Sequence, residues 1–97
     1  MKTLEEIKEI LKEHKEEVIR KYKVSEIGIF GSFVRGDQKK RSDIDVLVDF
    51  YEIPDLFKFI ELEDYLRKLL RKKVDLVDKR GIRQELKDRI LKEVVYL

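Results

Sequence analysis

Cysteine is absent from the 97 residues, and histidine, proline and methionine occur once each. Without cysteine there is no disulfide and no thiolate metal site, which fits a cytoplasmic chain. The single histidine, His14, has no second ring to join it in a zinc site. It is expected on a helix face at the edge of the core. Four glycines and one proline leave no linker, and no internal repeat or low-complexity tract is visible. No apolar run approaches the roughly 20 residues that cross a membrane. The start, MKTLEEIKEILKEHKEE, is too rich in glutamate for a signal peptide. Excess charge of one sign is also missing: 23 basic and 21 acidic residues leave a net charge of +2. That balance argues against nucleic acid as a direct ligand.

What is abundant is charge of both signs. Charged residues make up 45% of the chain, against 42% hydrophobic. Such a composition suits the ion-pair networks of a thermophile surface, and regular apolar spacing separates it from a disordered chain. The length predicts a single domain, residues 1–97, with one modest core.

Apolar spacing of three and four predicts a helix over 4–22 (Leu4, Ile7, Leu11, Val18, Tyr22), opened by a Thr3/Glu6 capping box. A strand is expected over 25–30. A polar connection follows over 33–42, helical in its first turn and a loop from Gly36 to Arg41. A second strand covers 44–50. Pro54 fits the first turn of a second helix that runs to about Arg71, with Phe59, Leu62, Leu66 and Leu69 on one face. A third strand covers 73–77, and a third helix begins near Arg83 with Leu86, Ile90 and Leu91 turned inward. Periodicity leaves the final VVYL open between helix and edge strand. The order predicts an α/β (α+β) domain: a small mixed β-sheet with helices packed on one face, its first two strands antiparallel.

The segment IFGSFVRGDQKKRSDIDVLV holds the candidate site. Strand alternation puts Ile44, Val46, Val48 and Phe50 on the core face, and Asp43, Asp45, Leu47 and Asp49 on the other, open face. Asp43 and Asp45 would stand about 7 Å apart. At that range two carboxylates repel, and a divalent cation removes the penalty. An open, oxygen-only setting suits Mg²⁺, which also takes waters and substrate phosphates. Asp75, in KVDLV, would join them if its strand is the neighbour, giving a set able to hold two metal ions. Asp78 falls on the opposite face by alternation. Gly31 allows close backbone approach, Ser32 offers a hydroxyl, and the following amides make an anion site. Arg35 has a fork that suits phosphate. Lys39, Lys40 and Arg41 read as a solvated loop, with a triphosphate or a partner surface as the sharper alternative. Each element alone is common. Gly-Ser, ten residues, then Asp-x-Asp should arise by chance on the order of once in a thousand chains.

These residues, Gly31-Ser32, the ten-residue spacer, Asp43-Ile44-Asp45 and Asp75 within VDLV, resemble the DNA polymerase β-like nucleotidyltransferase superfamily. More narrowly the chain is similar to its minimal nucleotidyltransferases, the MntA-type antitoxins of HEPN–MNT toxin–antitoxin pairs. Phe33-Val34-Arg35-Gly36 and Arg41-Ser42 fit the same pattern. The resemblance implies the polymerase β-like fold and transfer of AMP from ATP to a tyrosine hydroxyl of a cognate HEPN toxin. It implies that Asp43, Asp45 and Asp75 ligate two Mg²⁺ ions, with Gly31, Ser32, Arg35 and Ser42 on the nucleotide. A domain this small has little room for a separate acceptor module. The acceptor is therefore expected across the open face, with Phe57, Tyr65, Val95, Tyr96 and Leu97 as interface candidates if they are not core. Two other activities fit the same residues: neutralisation of a toxin by contact alone, and transfer to RNA or a small molecule.

Overall fold

The computed structural model describes residues 2–97. Helices α1 (Leu4–Glu13) and α2 (Lys15–Tyr22) lead into strand β1 (Val24–Phe30). A single turn of helix, α3 (Ser32–Arg35), and a loop lead to β2 (Ile44–Phe50). Helix α4 (Leu56–Leu70), β3 (Val74–Asp78), a 3₁₀ turn (Lys79–Gly81), α5 (Gln84–Glu93) and β4 (Val95–Tyr96) complete the chain.

The expected 4–22 helix is broken. His14 sits between α1 and α2 with φ −109° and ψ 7°, outside helical geometry, and its Nδ1 bonds the Ile10 carbonyl at 2.9 Å. Leu4, Ile7 and Leu11 before it and Val18 and Tyr22 after it keep the apolar stripe continuous, so spacing alone hides the break. Thr3 caps α1 as expected: its Oγ1 accepts from the Glu6 amide at 3.3 Å. Pro54 lies before α4 instead of in its first turn. Asp55 is the cap, accepting from the Lys58 amide at 2.8 Å.

The sheet order is β3-β2-β1-β4. β1 and β2 are antiparallel, β2 and β3 parallel, and β4 adds antiparallel to the free edge of β1. The terminal segment is thus an edge strand. The parallel pair needs a crossover, and α4 supplies it.

Two apolar clusters hold the sheet. The larger joins Ile27, Ile29, Ile44, Val46, Val48, Val74 and Leu76 to α1, α2 and α4. Leu62, Leu66 and Leu70, four residues apart, form one row on α4 and are wholly buried. Each stabilises the fold by about 1.5–3 kcal/mol. The smaller cluster, Phe30, Leu47 and Ile90, lies on the other face under α5. That face is therefore partly covered. Leu86, expected inward, is 37% exposed, while Ile90 one turn later is buried.

Candidate active site

Sheet register builds the acid row. Phe30 pairs with Asp45, and Asp45 with Asp75, so β1, β2 and β3 each place one of these side chains side by side. Leu47 and Val77, two residues on, pack under α5, which fixes Asp45 and Asp75 on the same face. Asp43 is exposed just before β2, and Asp45 is half-buried. Burial, then Asp75, then Asp43, push the Asp45 carboxyl up to about 6, and Arg35 works against this. Such a carboxylate holds its charge poorly until a cation arrives.

Among the described residues no three potential ligands converge into a ready-made metal cage. The acids form an open row. That arrangement fits Mg²⁺, which binds one or two carboxylates and fills its other positions with waters and substrate phosphates. The donor set is all oxygen, and its mutual repulsion favours a cation.

Gly31 turns the chain at the end of β1 with φ +82° and ψ −152°. A side chain there would run into the Asp45 carboxylate. Both facts require glycine. Ser32 opens α3, whose first amides have no partner inside the helix, while the Val34 and Arg35 amides bond the Gly31 carbonyl. The turn and the Asp43–Asp45 end of β2 are thus adjacent.

Arg35 is differently placed from the expected phosphate fork. Its Nη1 donates to Glu93 Oε1 at 2.8 Å and its Nε to Asp37 Oδ2 at 3.2 Å. It stands as a counter-charge to the acids. Ser42 Oγ accepts from the Lys39 amide at 2.8 Å, closing the loop just before Asp43. Lys39, Lys40 and Arg41 are exposed, and Lys72 Nζ ties that loop down through the Lys40 carbonyl at 2.9 Å. Asp78 is turned away from the row: it caps the 3₁₀ turn and binds the Arg80 guanidinium.

Sequence reasoning missed Glu93. Its Oε2 accepts from the Gly31 amide at 2.7 Å while Oε1 holds Arg35. One carboxylate thereby fixes both the turn and the counter-charge. A signal was present: an acid in the last turn of a helix opposes the helix dipole, so its place needs another reason. Of the interface candidates, Phe57 is 83% exposed and Tyr96 is exposed; Tyr65, Val95 and Leu97 are half-buried. The Tyr65 hydroxyl donates to Glu17 at 3.1 Å.

A small mixed sheet that carries a row of acids beside a Gly-Ser turn has the organisation of a nucleotide-transferring enzyme. A family profile for the nucleotidyltransferase domain matches residues 11–97, and the chain belongs to that family as a nucleotidyltransferase. Protein adenylyltransferase MntA of Thermococcus cleftensis is 55% identical over 97 residues, covering 100% of this chain and 98% of that one. A provisionally assigned minimal nucleotidyltransferase of known structure superposes with TM-score 0.84 at 30% identity, covering 99% of this chain and 97% of the other. A toxin–antitoxin crystal structure with AMP-PNP gives TM-score 0.72 at 29% identity, covering 87% of this chain and 69% of that one. No helix among the described residues is long and apolar enough to cross a membrane.

Proposed function

We propose that this chain is a Mg²⁺-dependent protein adenylyltransferase that moves AMP from ATP to a tyrosine of a partner HEPN toxin and so silences it. The observation that carries the reading is the register Asp45↔Asp75 beside the Gly31–Ser32 turn. Relatives named for protein adenylyltransfer and for toxin–antitoxin pairing support it.

The residues divide the work. The Ser32 hydroxyl and the first α3 amides hold the leaving phosphates. Asp43, Asp45 and Asp75 would hold two Mg²⁺ ions, which supply charge neutralisation at the triphosphate. Asp75 lies on the far side of Asp45 from the turn, where it orients the acceptor hydroxyl. The tyrosine oxygen bonds to the α-phosphorus and the bond from that phosphorus to the β-bridging oxygen breaks. Pyrophosphate leaves with the electron pair, and the phenolic proton passes through Asp75 to solvent. Transfers of this kind rest on positioning and charge stabilisation, which a 97-residue scaffold can provide.

A second reading, neutralisation by contact, draws on the exposed apolar residues Tyr51, Ile53, Leu56, Phe57 and Ile60. One assay separates the two. The chain is expressed with the product of its neighbouring gene and given Mg²⁺ and ATP labelled at the α-phosphate. Label on a partner tyrosine that disappears with Asp43→Asn is the expected result. A stable, unlabelled complex that still neutralises with Asp43→Asn would overturn transfer in favour of contact.

A further inference from the structure

The acid row borders a pocket of about 330 Å³ between the sheet and α5. Asp75 is the only carboxylate lining it. Phe30, Leu86 and Ile90 give it apolar walls, and Arg83 and Arg89 are its two cations. Both arginines are exposed, and neither forms an ion pair among the described residues. Larger hollows lie elsewhere, one among Lys2, Lys40, Arg71 and Lys72, one along α4 and one around Pro54, but no residue of the acid row lines any of them.

The position of this pocket matters more than its size. The Gly31–Ser32 turn adjoins the start of β2, whereas the pocket extends from Asp75 along β3 toward Val77 and under α5. The pocket also reaches Phe30, next to the turn, but the only acid that lines it is Asp75, the end of the row farthest from the turn. In phosphoryl transfer the attacking and leaving oxygens stand roughly in line on opposite sides of phosphorus. With pyrophosphate leaving toward the turn, the attacking oxygen arrives from the Asp75 end of the pocket. We propose that this pocket is the acceptor site: it takes the ring of the partner's tyrosine, and Arg83 and Arg89 hold acidic residues that flank that tyrosine. This inference rests on the adenylyltransferase reading above.

The chemistry of the lining matches that occupant. An aromatic ring needs apolar walls, and a tyrosine hydroxyl needs a polar partner at the inner end; Asp75 stands there. Two arginine forks without internal partners favour carboxylates on the visiting segment. The nucleobase has no such claim, since it hangs from ribose on neither the attacking nor the leaving side.

The test uses the full chain with its partner toxin as acceptor, and reads KM for each substrate separately. Leu86→Trp fills the pocket, and Arg83→Glu with Arg89→Glu reverses its charge. All three residues are exposed, so folding is expected to survive and is checked by thermal melting. The expected result for each variant is a rise in partner KM of about tenfold or more, with the KM for Mg-ATP within about twofold of wild type. A rise in ATP KM instead would make this a nucleobase pocket and overturn the proposal. Unchanged values for both substrates would overturn it as well. A wild-type protein that binds Mg-ATP yet labels no partner would remove the adenylyltransferase reading, and the acceptor site would fall with it.

Discussion

The two faces of the sheet are made from the same strands and obey different rules. On one face Ile44, Val46 and Val48 are wholly buried against three helices. On the other stand Asp43, just before the strand, and its alternate positions Asp45, Leu47 and Asp49. The first face is dry and continuous. The second is divided, with acids at one end, an apolar patch under α5 in the middle, and Asp49 facing Arg80 at 3.7 Å at the other end. A single β-strand thus serves the core with its even positions and carries the proposed site on its odd ones. Leu47 is the exception that anchors α5 over the site.

This division can be broken from either side. The largest effect is expected on the acid face. Asp43→Asn and Asp45→Asn should each lower the transfer rate by about a thousandfold while leaving the melting temperature equal or higher. A matching loss of melting temperature would show that these acids belong to the fold. On the dry face the result inverts. Leu66→Ala should cost about 3 kcal/mol of stability, read by denaturant unfolding, with transfer per folded molecule within about twofold of wild type. Leu47→Ala tests the exception. It should lose about 2 kcal/mol and also raise the partner KM, because α5 would no longer be seated over the acid row. An unchanged partner KM would separate α5 from the chemistry.

The smallest effect sharpens the comparison by pH. The folded Asp45 carboxyl titrates at about 6, above its usual value near 3.8. Between those values the folded chain keeps a proton that the unfolded chain has released. Stability therefore falls as pH rises through that window, and stays lowered above it. In magnesium-free buffer, wild type should lose about 1 kcal/mol relative to Asp45→Asn from pH 4 to pH 6.5, after screening of a half-exposed group. That equals about 4–8 °C in melting temperature. Parallel melting curves for the two proteins would show that burial of Asp45 carries no penalty.

Much of this division was legible before any coordinates. Alternation in IDVLVDF separated core residues from acids, and the short link between the first two strands implied the antiparallel pair. What stayed hidden depends on partners distant in sequence. Arg35 looked free for phosphate because Glu93 lies 58 residues away. Leu86 fits an inward helical spacing, yet α5 crosses the sheet only far enough to bury Ile90. The break at His14 leaves the apolar stripe intact, so no periodicity marks it. Alternation alone set Asp75 and Asp78 on opposite faces; the place of Asp75 beside Asp45 needed the parallel pairing of β2 and β3, which alternation does not give.

Glu93 has a consequence for synthesis. The Gly31–Ser32 turn is made early in the chain, but its hydrogen-bond anchor, Glu93, and the strand after it that pairs with β1, Val95–Tyr96, follow more than 60 residues later. Domains are made from the N-terminus at about 5–20 residues per second. A nascent chain that has already displayed Asp43, Asp45 and Asp75 therefore spends seconds with an unanchored turn and an unpaired β1 edge. The acids are translated before this frame, so the turn beside them is fixed only once residues 93–96 are made.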